Sequence, residues 1–155
     1  MVVKTLGYHH AHEADQLACL VAFTDDCPCG RLGVGTGARY WQRQLAELQA
    51  HVGAIESSRV AVTAVLYDSP ADLARFTGKH NITFPILSNE DSEIITTLGL
   101  LNTDMAGGTT YYGVPDPGVF LLDSDSRIVA KYAEQDDQVR PLIADVLVGV
   151  NALTH

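Results

Sequence analysis

The feature that most constrains the fold of this chain is the alternation of short apolar runs with longer segments that are apolar on one side only. Residues 17–23 and 59–67 are mostly apolar and have the length of strands. Between them, residues 38–55 repeat apolar side chains at steps of three and four: Trp41, Leu45, Leu48, Val52 and Ile55. Compact apolar runs are typical of strands buried in a parallel sheet, and the repeat is typical of a helix packed against one. Together they predict a β-α-β unit.

The remainder of the chain continues this alternation. Ser69 and Pro70 form a helix start, with a capping residue followed by a proline in the first turn. The predicted elements are a helix from residue 69 to about 80, a strand at 82–87, a helix at 88–98, strands at 118–123 and 127–133, and a helix at 138–153. Pro85 indicates an edge or irregular strand, and Pro141 fits the last helix only in its first turn. We expect an α/β fold with a central mixed sheet.

Length and charge restrict the class of protein. At 155 residues the chain has the size of one domain, so we expect residues 1–155 to form a single domain. Its formal net charge of −9 argues against binding to nucleic acids or anionic membranes. No run of eighteen apolar residues predicts a membrane span, and the first residues lack the layout of a signal peptide. We therefore expect a cytoplasmic protein.

The three cysteines fall in two settings. Cys19 lies inside the first apolar run, where a buried packing role is expected. Cys27 and Cys29 follow that run in a glycine-rich segment, residues 27–37, which is predicted to be a loop. Ligands of open α/β sheets bind at the carboxyl ends of the strands, which is where this loop begins. Cys27 and Cys29 are therefore candidates for thiol chemistry, and nearby cations such as Arg39 favour the reactive thiolate.

Several segments resemble the peroxiredoxin-like (AhpC/TSA) family of the thioredoxin fold. They are the helical segment 44–49, the strand and helix start at 62–69, the segment Thr83-Phe84-Pro85-Ile86-Leu87-Ser88-Asn89 and the segment 114–123, which places prolines before an apolar strand. In order and spacing they cover roughly residues 17–150. The chain departs from the family in three places. Only sixteen residues precede the first core strand, residues 37–41 contain no cysteine, and Pro117 stands where many members have an arginine.

The resemblance implies a thioredoxin-like fold with a shortened N-terminal hairpin and a thiol-dependent oxidoreductase. Hydrogen peroxide or alkyl hydroperoxides are the implied substrates, with a thioredoxin-like reductant and no organic cofactor. The resemblance implies that either Cys27 or Cys29 is the nucleophile and that the other resolves it. Cys29 is favoured because its distance from Phe23 is close to the strand-to-cysteine distance of the family. Arg39 is the cation we expect beside them. A homodimer is expected because family members often dimerise.

Two other functions remain open at this point. The first is a catalytically degenerate thioredoxin-fold module, which keeps the scaffold and binds a partner through its altered loop. Alternatively, the Cys-Pro-Cys segment binds a soft metal, with His9, His10 or His12 as further ligands. A reactive thiol pair would favour the oxidoreductase, unreactive thiols the binding module, and tight binding of zinc or copper(I) the metal site.

Overall fold

The computed structural model describes residues 18–23, 38–101, 103, 118–125, 127–133 and 141–153. Within these ranges the chain forms five strands and four helices. In chain order they are β1 (Ala18–Phe23), α1 (Ala38–Ser57), β2 (Val60–Leu66), α2 (Pro70–His80), β3 (Ile86–Ser88), α3 (Glu93–Thr97), β4 (Gly118–Asp123), β5 (Ile128–Ala133) and α4 (Ile143–Leu153). This is the order of elements that the sequence predicts. The predicted single domain over residues 1–155 stays a prediction.

The five strands form one mixed sheet in the order β3-β2-β1-β4-β5. β1 pairs in parallel with β2, and β2 in parallel with β3, so each of these connections crosses over through a helix. β4 runs antiparallel to β1, and β5 returns beside β4 as a hairpin. In that hairpin the carboxylate of Asp123 accepts hydrogen bonds from the backbone N–H groups of Asp125 and Arg127. These two hydrogen bonds stabilise the tight turn between β4 and β5.

The central position of β2 explains its composition, because every residue from Val60 to Leu66 is buried. Its even-numbered side chains belong to a large cluster with α1, α2, α4 and one face of β4. Val65 belongs to a smaller cluster on the other face, with Ile95 of α3 and Phe120 and Leu122 of β4. A strand with apolar neighbours on both faces reads as a continuous apolar run rather than as an alternating one.

Helix α2 is the element whose limits the sequence defines best. Ser69 caps it by accepting a hydrogen bond from the backbone N–H of Asp72, and Pro70 occupies its first turn. At the other end Asn81 takes the left-handed conformation, with φ of 52°. Lys79 and His80 lie in the last turn, where positive charge is favourable. The predicted helix from residue 69 to about 80 is confirmed.

The strand predicted at residues 82–87 was placed too early. β3 is the shorter segment Ile86–Ser88, and the buried side chains of Ile82 and Phe84 precede it. The backbone N–H of Thr83 donates to the side chain of Gln49 on α1, at 2.8 Å from Oε1. That contact holds the segment against α1 and outside the sheet ladder, which β3 enters only after Pro85.

The last two helices begin later than predicted. α3 starts at Glu93 because Ser88 still belongs to β3 and the residues between form a turn, with Ser92 at a φ of 56°. α4 starts at Ile143, so the prediction of Pro141 in its first turn was wrong. Leu142 supplies the carbonyl that accepts hydrogen bonds from Asp145 and Val146, and its own side chain is 68% exposed. Leu142 therefore stands before the helix and is exposed rather than packed in the core.

Candidate functional site

The candidate site is the edge of the sheet at which the parallel strands end, called here the carboxyl edge. Phe23, the last residue of β1, stands beside Val65 of β2 and beside Gly118, the first residue of β4. Because β1 ends there and connects to α1, the amino end of α1 belongs to the same edge. The carboxyl ends of parallel strands are the usual place for ligands in open α/β sheets.

The predicted thiols belong to the connection between these elements. Cys27 and Cys29 fall in the sequence between the end of β1 and the start of α1, and they lie outside the described residues. The same holds for His9, His10, His12 and Pro117. Cys19 is part of β1, where it stands beside Ala61 and Leu122 in the register of the sheet. The arrangement of Cys27 and Cys29 relative to Arg39 therefore stays a prediction.

Arg39 is the second residue of α1, so its backbone lies in the first turn of that helix. The first turn holds no acidic residue. The free backbone N–H groups at a helix start carry partial positive charge, so an arginine there is not favoured by the helix itself. Helix stability alone therefore does not explain why a cation occupies this position. The position lies at the start of a helix at the carboxyl edge.

Gln44 is a residue of this region that the sequence analysis did not identify as functional. It lies on α1 directly before Leu45 and is only 5% exposed, and among the described residues neither its Nε2 nor its Oε1 has a hydrogen-bond partner. Leu45 and Leu48 on the same helix are fully buried. The sequence holds one signal for it, because Gln44 stands four residues before Leu48 and three after Trp41, on the apolar side of the helix.

The position of Gln44 along α1 places it level with the end of β2. Helix α1 ends at Ser57 and β2 begins at Val60, so the helix runs back along the strand. At 1.5 Å per residue, Gln44 stands about 20 Å from the end of the helix. At about 3.3 Å per residue, Leu66 stands about 20 Å from the start of β2. Measured along the strand direction, Gln44 is therefore close to the carboxyl edge.

Asp68 provides a second buried polar atom without a partner near this edge. It follows β2 by two residues, and its buried Oδ2 makes no hydrogen bond with any residue in the described ranges. Its backbone carbonyl is engaged, because Ser88 Oγ donates to it at 2.7 Å.

Asn89 shows the opposite condition at the neighbouring corner, after β3. Its Oδ1 accepts a hydrogen bond from the backbone N–H of Ile95, and its Nδ2 donates to Asp91 at 2.7 Å. Its backbone N–H donates to the carbonyl of Leu66, again at 2.7 Å. Asn89 ties α3 and the end of β3 to the end of β2, so its role is structural.

A groove of about 650 Å³ lies between α2 and β3. Leu73, Phe84 and Ile86 are among its lining residues, and none of its described lining residues carries a charge. Its hydroxyl groups, those of Thr77, Thr83 and Ser88, are each hydrogen-bonded within the fold. The unpartnered polar atoms of Gln44 and Asp68 are not part of its described lining. Within the described ranges, no three His, Cys, Asp or Glu side chains gather as a metal site. No helix in the described part of the chain is long and apolar enough to cross a bilayer.

Comparison with known proteins adds a family and a set of relatives. Residues 36–131 match the AhpC/TSA family. The chain is 29% identical over 85 residues to peroxiredoxin Bcp of Escherichia coli K12, which covers 55% of this chain and 54% of that protein. The chain is also 30% identical over 87 residues to Rv2521 of Mycobacterium tuberculosis, whose name assigns it provisionally to the peroxiredoxins. That match covers 56% of this chain and 55% of that protein. The matches thus span just over half the length of these relatives.

Solved structures share the fold. The bacterioferritin comigratory protein of Xanthomonas campestris superposes with a TM-score of 0.70 at 15% identity, over 90% of this chain and 81% of that chain. AhpC of Mycobacterium tuberculosis superposes with a TM-score of 0.68 at 21% identity, over 94% and 78%. At these identities the likeness establishes the fold. The thioredoxin-like α/β fold expected from the sequence is confirmed.

Proposed function

The chain belongs to the AhpC/TSA family, and on that premise we propose that it reduces hydrogen peroxide or small alkyl hydroperoxides through a thiol at the carboxyl edge. The observation that carries this proposal is the family match, which runs from the start of α1 to β5. Peroxiredoxin Bcp is among the sequence relatives, and the Xanthomonas campestris protein of the same fold has alkyl peroxide reduction activity.

The proposed reaction uses both cysteines of the connecting segment. The thiolate of Cys29 attacks one peroxide oxygen, so an S–O bond forms and the O–O bond breaks. The leaving oxygen takes up a proton and departs as water or an alcohol, and Cys29 is left as a sulfenic acid. The Cys27 thiolate then attacks the Cys29 sulfur, a disulfide forms, and the hydroxyl leaves as water after taking up a proton. A thioredoxin-like dithiol reduces this disulfide, and no organic cofactor takes part.

The architecture of the carboxyl edge supports this chemistry. The segment that carries both cysteines joins the end of β1 to the start of a twenty-residue helix. A helix start favours negative charge, so it favours a thiolate, and no acidic residue stands in the first turn of α1 to oppose it. In the proposal, Arg39 adds its positive charge to that of the helix start. The family likeness also leads us to propose a homodimer.

One observation favours a second function, a catalytically degenerate module that binds a partner. The family match begins at residue 36, which is after both Cys27 and Cys29. The residues that open α1 within the match, from Ala38 to Trp41, contain no thiol. On this second proposal the chain keeps the family scaffold and has lost the thiol at the helix start.

Rapid mixing of the reduced protein with hydrogen peroxide separates these two functions. We expect the wild type to lose thiols at least about a hundredfold faster than free cysteine, since a protein site that stabilises the thiolate raises its fraction and reactivity. Cys29→Ser should abolish the fast phase. Cys27→Ser should keep it but accumulate sulfenic acid, which a dimedone adduct detects by mass.

Cys19→Ser is the matched control, because Cys19 belongs to β1 rather than to the connecting segment. It should leave the fast phase unchanged. A wild type no faster than free cysteine would contradict the peroxidase and leave the binding module. Loss of the fast phase in Cys27→Ser instead of Cys29→Ser would keep the peroxidase but exchange the two roles.

A further inference from the structure

We propose that Gln44 is a substrate-binding residue, whose side-chain amide holds the hydroperoxide group at the carboxyl edge. Nε2 would donate to a peroxide oxygen, and Oε1 would accept from the peroxide O–H. The inference deepens the proposed function and rests on it. It names a residue outside the Cys-Pro-Cys segment and assigns to it the recognition of the neutral –OOH group.

The first argument is the cost of leaving this amide unpaired. Gln44 is 5% exposed, and both polar atoms of its side chain lack a hydrogen-bond partner within the part of the chain that the structure describes. A buried donor or acceptor without a hydrogen bond is destabilising, and native proteins keep few of them. A leucine would continue the apolar stripe of Leu45 and Leu48 without that cost. A polar ligand that bonds to this amide would explain why an unpaired amide is kept at this position.

The second argument is direction. Side chains of α-helices lean toward the amino end of the helix, so the amide of Gln44 reaches from the level of Leu66 toward the start of α1. The first backbone N–H groups of that helix also lack partners within the helix. The buried Oδ2 of Asp68, two residues beyond β2, is a further unpartnered atom near the same edge. Among the described residues, the buried side-chain atoms without a hydrogen-bond partner, those of Gln44 and Asp68, therefore lie near this edge.

The third argument is chemical fit. A hydroperoxide carries one O–H donor on an oxygen chain with several acceptor lone pairs, and a primary amide offers one acceptor and two donors. The two groups can thus bond in both directions at once. An anion such as a carboxylate would bond only to Nε2 and would be repelled by Oε1. The amide of Gln44 has no proton to transfer, so its role is binding and orientation rather than acid–base catalysis.

Gln49 supplies the contrast on the same helix. Its Oε1 accepts from the backbone N–H of Thr83 at 2.8 Å, and its Nε2 donates to Thr83 Oγ1 at 3.0 Å. It is the same side chain five residues later, with its amide engaged in the fold. A change at Gln49 should therefore disturb stability, and a change at Gln44 should disturb the binding of peroxide.

The experiment compares Gln44→Leu, Gln44→Met and Gln49→Leu with the wild type, in peroxide kinetics and thermal melting. For both Gln44 variants we expect KM for hydrogen peroxide to rise about tenfold, the effect of one or two lost hydrogen bonds, with kcat within about twofold. Their melting temperatures should rise by about 3 °C, because an unpaired amide has been removed. Gln49→Leu should melt about 3 °C lower with an unchanged KM.

Alkylation of the thiols by iodoacetamide separates peroxide binding from thiol reactivity, because it involves no peroxide. Its rate and pH profile should be the same in the wild type and in both Gln44 variants. A KM that stays unchanged in an active enzyme would overturn the role of Gln44 and leave the proposed function standing. Lower melting temperatures with unchanged KM would assign the amide to a buried structural water instead. An inactive wild type would overturn the proposed function together with this inference.

Discussion

Two buried amides near the end of β2 have the same chemistry and nearly the same burial, yet the fold uses one completely and the other not at all. Asn89 is 4% exposed and Gln44 is 5% exposed. Asn89 Oδ1 accepts from the backbone N–H of Ile95 in α3 and its Nδ2 donates to Asp91, whereas the side chain of Gln44 makes no hydrogen bond with any described residue. Burial alone therefore does not reveal what a polar side chain is for. The state of its hydrogen bonds separates a residue that holds the fold together from one that is available to a ligand.

The largest effect that would sharpen this comparison is expected at Asn89. Asn89→Leu should lower the free energy of unfolding by about 3 kcal/mol, because it leaves the N–H of Ile95 buried without an acceptor and removes the bond to Asp91. Urea unfolding followed by circular dichroism measures this change. A loss smaller than about 1 kcal/mol would show that the turn between β3 and α3 tolerates an unpaired amide, and the contrast with Gln44 would fail.

A smaller loss is expected at Thr63, a buried polar residue in the middle of β2. Its Oγ1 donates to the carbonyl of Pro85 at 3.1 Å, and that carbonyl also accepts from the N–H of Ala64 at 3.0 Å. Thr63→Val keeps the shape and removes one neutral hydrogen bond, so we expect a loss of about 1 kcal/mol. The same urea measurement tests it. No loss would mean that an engaged hydroxyl contributes as little as an unpaired one, against the reasoning applied to Asn89.

The smallest effect is expected at Gly53, where a substitution changes the stability of helix α1 without touching Gln44. A Cβ added at Gly53 would meet no atom within 4 Å. Gly53→Ala should therefore raise the free energy of unfolding by somewhat less than 1 kcal/mol, through helix propensity alone. Peroxide kinetics should not change. If Gly53→Ala altered KM as Gln44→Leu is expected to do, a general stiffening of α1, and not the amide of Gln44, would explain both results.

The sequence predicted the elements whose character is local. The apolar run of β2, the stripe of α1 and the capping residues of α2 each depend on neighbours in the chain, and all three elements are found. The limits of β3 and α3 depend on side-chain hydrogen bonds that the local pattern does not show. The start of α4 depends on the carbonyl of Leu142, which accepts the first hydrogen bonds of the helix. The contact of Gln49 with Thr83 keeps residues before Pro85 out of the sheet, and no pattern within residues 82–87 shows it.

The candidate site divides in the same way. Cys27, Cys29 and Arg39 are visible in the sequence because their residue types carry chemistry, and their roles stay predictions. The role proposed for Gln44 is not visible in the sequence, because a glutamine beside an apolar stripe is typical of a surface position. Its burial follows from the packing of α1 against β2 and α4, and its lack of hydrogen-bond partners is visible only in three dimensions.

The strand order has a consequence for synthesis on the ribosome. β1 lies at the centre of the sheet between β2 and β4, and about 95 residues separate Phe23 from its partner Gly118. At 5–20 residues per second, translation takes about 5–20 s to deliver β4 after β1 has been made. Once β2 has been made, β1 can pair with it, but until β4 arrives β1 keeps an open hydrogen-bonding edge on its other side, and such an edge is a template for association with other chains. The speed of elongation through residues 24–118 therefore sets how long that edge stays open in the nascent chain.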